Sequence, residues 1–292
     1  MRNDKLINYL HLHFIVFIWG FTAVLGDLIS ISAFPLVWFR MSLGAVFILI
    51  YIFLRKDKLK VSKSSLLKFA AVGFLIAVHW LAFFSAIKVS NVSITLAMMS
   101  TGAFFASLLE PIIYKRKIIK YEVVFGFVVI IGLYIIFKVE SDYIVGILLA
   151  LLASFLGALF AIFNGMLVKN HNATVITFYE MIFGVIFISI FMLFTGDFDA
   201  NFFNLSGSDW TYLLLLASVC TAYAFIASVH VMKWISPYTV MLTTNMEPVY
   251  GIILALLILG EKEYMSPTFY LGAVIILITV IINGILKTTE KE

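Results

Sequence analysis

The chain alternates between long apolar runs and short polar segments. A membrane-crossing helix needs about 20 mostly apolar residues. Ten runs meet that length, at roughly 9–28, 35–54, 66–87, 92–114, 121–138, 143–168, 174–195, 210–231, 238–260 and 267–286. Strand-type alternation is absent, which argues against an outer-membrane barrel. Pro35, Pro237 and Pro267 stand at or just before the starts of runs, where a missing N–H costs nothing. Ser208-Asp209 precedes the eighth run as a helix cap. The longest connection, 196–209, is rich in Gly, Asp, Asn and Ser and reads as a surface loop. The first run is too long for a signal-peptide core, so no removable leader is expected.

Two runs carry a polar break at mid-depth, one at Ser100-Thr101-Gly102 and one at Thr243-Thr244-Asn245-Met246-Glu247-Pro248. Each lies about as far from the start of its own half. Matching broken helices in two halves are the pattern of a secondary transporter with its site between repeats. Ten spans divide into five and five. An odd number per half makes the halves enter the membrane in opposite directions. The expected architecture is therefore an all-α integral membrane protein of ten transmembrane helices, arranged as two inverted five-helix repeats over 1–138 and 143–287.

Composition agrees. Hydrophobic residues make up 63% of the 292, and charged residues 12%, where a soluble domain carries about 25%. The net charge of +4 is no nucleic-acid footprint, because the basic residues sit in short loops beside apolar spans. With the N terminus inside, sixteen Lys and Arg fall in inner segments and three in outer ones, Arg40 being within a span. That bias places both termini in the cytoplasm of a cell with the chain in its inner or plasma membrane. The outer loop 196–209 holds Asp197, Asp199 and Asp209 without a basic residue. Cys220 is the single cysteine, so no intrachain disulfide forms. It reads as a small buried hydrophobe.

Polar residues inside spans are functional candidates because they are costly there. Glu247 lies nine or ten residues into its helix, roughly 14 Å deep in a core of about 30 Å. Pro248 removes a backbone donor, so carbonyls near Thr244 lose a partner. The broken turn then offers Thr244, Asn245 and free carbonyls to a ligand, and Glu247 becomes a candidate for an amine or a coupling proton. The structural alternative is a kink with Glu247 bonded to a neighbour. Ser100 and Thr101 occupy the matching depth, beside a Gly102 that admits close approach or plain helix packing.

Arg40 is expected near the outer interface and Glu180 near the inner one. Each snorkels or caps backbone in its own half, so no salt bridge between them is expected. Arg40 also reads as an attractor of anions at an outer vestibule. His79 is either a proton shuttle or a satisfied hydrogen-bonding residue. Trp19, Trp80, Phe83 and Tyr223 suit aromatic walls for an amphipathic substrate, although packing is the ordinary role for each. Glu110, close to Lys115, Arg116 and Lys117, reads as part of a local interfacial ion pair. Asn164 falls near the inner end of the sixth run. The runs 121–138 and 267–286, of simple Val/Ile-rich sequence, belong at the periphery.

The run Glu247-Pro248-Val249, Leu254-Ala255-Leu256-Leu257, Leu259-Gly260-Glu261 and Gly272 resembles the closing signature of the EamA domain of the drug/metabolite transporter superfamily. Trp19-Gly20, Arg40 and Ala86-Ile87-Lys88 are similar to the same domain in the first half. The first half departs from it at Gly102, where proline is expected, and at Lys115, where the glutamate is expected. The resemblance spans nearly the whole chain as two repeats. It implies a central cavity, alternating access, and small metabolites such as amino acids as substrates, often exported.

Two other classes compete with this reading. A polytopic membrane enzyme would need a metal-binding acidic pair, a histidine cluster or a nucleophile elbow, and the sequence offers only Asp197/Asp199 in a loop. A sensor or scaffold has no additional domain through which to signal. No Walker-type loop is present, so ATP is not the driver. The expectation is a secondary transporter with no cofactor or metal. Its partners are a small-molecule substrate and the lipid bilayer, not nucleic acid, and a homodimer is left open.

Overall fold

The computed structural model describes residues 2–115, 120–199 and 201–289. Arg116, Lys117 and Lys291, which contribute to the charge bias, lie outside them. Every regular element among the described residues is helical. α1 covers Arg2–Leu28, α2 Ala33–Arg55 and α3 Lys63–Val89. The fourth run is split into α4 (Val92–Met99) and α5 (Gly102–Ile113), and α6 (Lys120–Val139) closes the first half. The second half opens with α7 (Ile144–Leu167) and α8 (Ala173–Thr195). α9 (Gly207–Ala217) and α10 (Ala224–Val231) are joined by a π-helical segment over Ser218–Tyr223. α11 (Pro237–Thr244) and α12 (Glu247–Leu259) form the second split helix, and α13 (Pro267–Thr289) ends the fold. Among the described residues, eight helical stretches are long and apolar enough to cross a membrane, with each split helix counted as one. Two shorter apolar stretches, Val124–Val139 and Pro267–Ile282, lie in α6 and α13.

Local chemistry explains the boundaries. The side chains of Ser62, Asn91, Asn172, Ser206 and Ser236 accept from the amides of Ser65, Ile94, Thr174, Asp209 and Thr239, capping α3, α4, α8, α9 and α11. The cap of α9 is thus Ser206, and not Ser208-Asp209 as the sequence suggested. The Asp209 carboxylate is drawn instead to Ser30, accepting from its amide and its hydroxyl at 2.7 Å each. Pro237 stands at the first position of α11. Both mid-depth breaks are real interruptions, whereas the π-helical segment is a third that the hydrophobic pattern did not announce.

Hydrogen bonds sort the helix ends onto two faces. On the upper face, where α1 ends, Ser30 meets Asp209, Lys262 pairs with Asp27, and Lys88 donates to the Ile29 carbonyl. On the lower face, Tyr179 donates to the Leu59 carbonyl at 2.9 Å and Ser65 meets His171 at 3.2 Å. Contacts between the halves come in exchangeable sets. α3 packs on α7 as α10 packs on α1, and α3 on α8 as α9 packs on α2. α1 packs on α12 as α7 packs on α4 and α5.

Close crossings depend on glycine. A Cβ on Gly73 of α3 would lie 2.6 Å from the Glu180 carbonyl oxygen of α8, so these backbones touch. α6 and α13 cross at Gly132 and Gly272. Ser266, just before α13, donates to Glu140, just after α6, at 3.0 Å, so the two run antiparallel. Val124, Phe127, Ile130 and Tyr134 of α6 and Leu271, Val274 and Ile278 of α13 are exposed, which puts this pair at the periphery.

Candidate functional site

Between the two halves lies a cavity walled by residues of α1, α2, α3, α4, α7, α10, α11 and α12. Its empty space is about 730 Å³, including its open part. Trp19, Trp80, Phe83, Phe160, Phe225 and Met241 make most of the surface apolar. The polar wall is sparse: Thr22, Arg40, His79, Asn164, Ser228, Thr244 and Glu247. An apolar cleft with a few convergent polar groups is the usual form of a small-molecule site.

Arg40 is the cavity's cation, and it does not snorkel. Only 2% of it is exposed. Its Nε donates to Thr221 Oγ1 at 2.8 Å, and its guanidinium carbon sits 3.9 Å from the centroid of Trp80. The second ring nearby is Phe84, at 5.3 Å. A desolvated cation over indole gains about 2 kcal/mol. Thr221 reaches Arg40 because the π-helical segment shifts the backbone register. Its hydroxyl donates to the Leu216 carbonyl five residues back, at 2.8 Å. Arg40 Nη1 is buried without a hydrogen bond. The sequence-based expectation of an outer-interface arginine is therefore corrected. Counting residues along α2 located its Cα, but the long side chain turns inward.

Glu247 opens α12 and is buried. It lines the same cavity as Arg40, and no hydrogen-bonded ion pair joins the two. One charge comes from each half of the chain. Asn245, in the break, is buried with its Nδ2 unpartnered. Thr244 lines the cavity while its hydroxyl donates to the Val240 carbonyl at 2.9 Å. His79 Nδ1 donates to the Ala153 carbonyl at 2.7 Å, and the ring packs edge-on against Phe160. That bond fixes its orientation in the wall, so the satisfied reading describes its geometry.

Of the residues singled out from sequence, Trp19, Arg40, His79, Trp80, Thr244 and Glu247 line one cavity. Ser100 and Thr101 do not. Ser100 Oγ donates to the Ala97 carbonyl at 2.5 Å, and Thr101 Oγ1 to Met98 at 2.7 Å and Ser154 at 3.0 Å. Their hydroxyls are spent on the broken turn, and the neighbour Met99 reaches the cavity instead. Gly102 faces α11, where an added Cβ would lie 2.6 Å from Met241 Cε. Tyr223 is 42% exposed and shares a hydrogen bond of 2.9 Å with His11, on the outside of the bundle.

Sequence reasoning missed the inner wall. Asn164 is fully buried and lines the cavity, and its Nδ2 donates to Glu180 Oε2 at 3.4 Å. Glu180 is also fully buried, so it neither snorkels nor reaches Arg40. Glu110 accepts from the Tyr238 amide at 2.9 Å and caps α11 of the other half, while Arg116 and Lys117 of its expected ion pair lie outside the described residues. A glutamate and an asparagine on the inner-end turns of consecutive spans were the available signal for the first pair.

A bundle of apolar helices around a wall of few polar groups defines a multi-pass membrane transporter. The chain belongs to the EamA-like transporter family, whose pattern matches twice, over residues 7–138 and 144–285. It is similar to an uncharacterized transporter of Archaeoglobus fulgidus, with 23% identity over 99% of each chain. An uncharacterized transporter of Clostridium kluyveri is 27% identical over 79% of this chain and 76% of its own. A solved crystal structure shares the fold, with a TM-score of 0.70 over 97% of this chain and 98% of the other at 13% identity.

Proposed function

We propose that this protein is a secondary transporter that exports small zwitterionic metabolites of the amino-acid class across the cell membrane. Substrate sits in the central cavity, with its carboxylate on Arg40, its amine on Glu247, and its side chain among Trp19, Trp80, Phe160 and Phe225. The carrying observation is that an arginine and a glutamate, one from each half, line the same cavity with no hydrogen bond between them. Arg40 Nη1 and Asn245 Nδ2 are donors with nothing to bond. A buried donor left unmade is costly, so a carboxylate bound in the cavity would relieve Arg40.

The exchangeable contacts between halves and the antiparallel crossing of α6 and α13 support ten crossings in two inverted repeats, 1–138 and 143–287. With the charge bias of the loops, both termini lie in the cytoplasm. Alternating access then moves the halves around a fixed site, with a proton as the coupling ion. Counterflow in proteoliposomes against a panel of radiolabelled amino acids tests the reading. Exchange of at least one member, inhibited by its siblings and absent from empty vesicles, is expected. No exchange by any member, with organic cations transported instead, would overturn it.

A further inference from the structure

Beside the cavity, three oxygen atoms are buried without partners: Glu180 Oε1, Asn164 Oδ1 and Thr177 Oγ1. All three residues have no solvent exposure. Thr177 and Glu180 are three residues apart on α8, so they share a helix face. Asn164 comes from α7 and also lines the cavity. The contact between Asn164 and Glu180 is half-made. Asn164 Nδ2 donates to Glu180 Oε2, while Asn164 Oδ1 and Glu180 Oε1 remain unpaired on the same two groups.

An ionised carboxylate is acceptor-only, and so is the amide oxygen. With Glu180 charged, the two unpaired oxygens are both acceptors, and neither can satisfy the other. A carboxylic acid has one O–H donor, and an acid facing an amide closes both arms. The surroundings do not neutralise the charge by other means. α2, α3 and α10 pack on α8, and α7 brings Asn164. Their titratable groups are Arg40, Tyr51, Arg55, Lys63, Lys68, His79, Lys88 and His230, with none on α7. Arg40 is bonded to Thr221 and His79 to Ala153. The other six are exposed or at the helix ends. Glu180 also sits where the backbones of α3 and α8 touch at Gly73, which is the seam between the halves.

We propose that Glu180 and Asn164 are a proton-binding pair, distinct from the substrate-holding Arg40 and Glu247, and that this pair couples transport to the proton gradient. The coupling part rests on the transport reading above. A proton from water bonds to Oε1 and is held against Asn164 Oδ1. When the seam opens, the same proton leaves to water on the other side. An uncompensated carboxylate buried in the seam is costly, so proton loss favours the opened arrangement and proton uptake the closed one.

Two measurements decide this. The first is difference infrared spectroscopy on the purified protein through a pH series. A carbonyl band of a buried carboxylic acid is expected that titrates with pH, is lost in Glu180→Gln, and persists in Glu247→Gln. The introduced amide keeps the two-armed contact with Asn164, so the Glu180→Gln variant should fold. A band unchanged by Glu180→Gln overturns the pair, as does a Glu180 signal that responds to sodium and not to pH. The second is accumulation in proteoliposomes of the panel amino acid that exchanges. Under an imposed pH gradient, wild-type protein accumulates it, while Glu180→Gln exchanges it but loses gradient-driven accumulation. Equal accumulation by both proteins overturns the coupling role. Absence of exchange in the wild type would instead overturn the transport reading, with the infrared result still deciding the proton site.

Discussion

Glu263, beyond the end of α12, accepts from the amide of Ser93 in the first turn of α4 at 2.9 Å. Its other oxygen accepts from the Val92 amide at 3.2 Å. On the opposite face, Glu110 near the end of α5 accepts from the Tyr238 amide at the start of α11. Each half thus uses a carboxylate from the far end of its split helix to cap the start of the other half's split helix. A carboxylate at a helix N-terminus meets both the exposed N–H groups and the positive end of the dipole.

Removing Glu263 leaves two buried donors, and Ser93 Oγ as well, without an anionic acceptor. Glu263→Ala is expected to cost about 2–3 kcal/mol and to lower the thermal unfolding midpoint in detergent. Glu263→Gln should fall between, since its amide oxygen still accepts. An unchanged midpoint in the alanine variant would show that the cap adds nothing to stability.

The two caps lie on opposite faces, so they should bias access in opposite directions. Cys220 is the single cysteine and is buried, which makes a cysteine-free background simple to build. In it, a cysteine at Phe83, on the cavity wall, reports access to the site. Glu263→Gln is expected to speed labelling by a thiol reagent applied from the upper side. Glu110→Gln should speed it from the lower side. The same response from both variants would deny them separate roles.

Gly73 and Gly207 separate packing from propensity. A Cβ at Gly73 would meet the Glu180 carbonyl oxygen at 2.6 Å, and the next contacts are also backbone. Neither can give way without moving a helix. Gly73→Ala is expected to cost about 1–3 kcal/mol by overpacking. At Gly207 nothing lies within 4 Å, and Gly207→Ala should leave the unfolding midpoint unchanged or slightly higher.

Much of this arrangement was legible in the chain. Apolar run length located eight stretches of spanning length and two shorter apolar helices among the described residues, and Pro35, Pro237 and Pro267 marked starts because proline tolerates only the first turn. The breaks at Ser100 and Asn245 were visible as polar residues inside apolar runs. Side-chain direction was not. Depth alone sets the expectation for both Ser100 and Arg40, yet Ser100 bonds its own helix and Arg40 turns into the cavity. The π-helical segment at Ser218–Tyr223 was hidden because one turn of different winding leaves no hydrophobic signature. It is this segment that sets Thr221 beneath Arg40 and turns Tyr223 outward.

Tyr223 therefore serves as a control. Its hydroxyl meets His11, and its ring contacts Phe14 edge-on at the outside of the bundle. Tyr223→Phe should leave the substrate KM within about twofold, an energy below the tenfold step of ~1.4 kcal/mol. Phe225→Ala, two residues on and facing the cavity, should raise it. Equal effects would place the site elsewhere.

The sharpest test compares Arg40→Lys with Glu247→Gln. A basic group near an interface needs only its charge, and lysine would then serve almost as well as arginine. The structure gives Arg40 three separate tasks. Its Nε donates to Thr221, its plane lies over Trp80, and Nη1 faces no partner. A lysine ammonium has no flat face and no second nitrogen beyond the one bonded to Thr221. Arg40→Lys is therefore expected to weaken binding by about tenfold or more, equivalent to at least ~1.4 kcal/mol, although the net charge is unchanged. Glu247→Gln keeps shape and hydrogen-bonding capacity but loses the negative charge. It should discriminate between ligands, sparing carboxylates that lack an amine and losing zwitterions. Calorimetric titration with an amino acid and with its deaminated acid reads both effects. If Arg40→Lys binds both ligands like the wild type, the guanidinium is structural. If Glu247→Gln loses both ligands equally, its carboxylate does not read the amine.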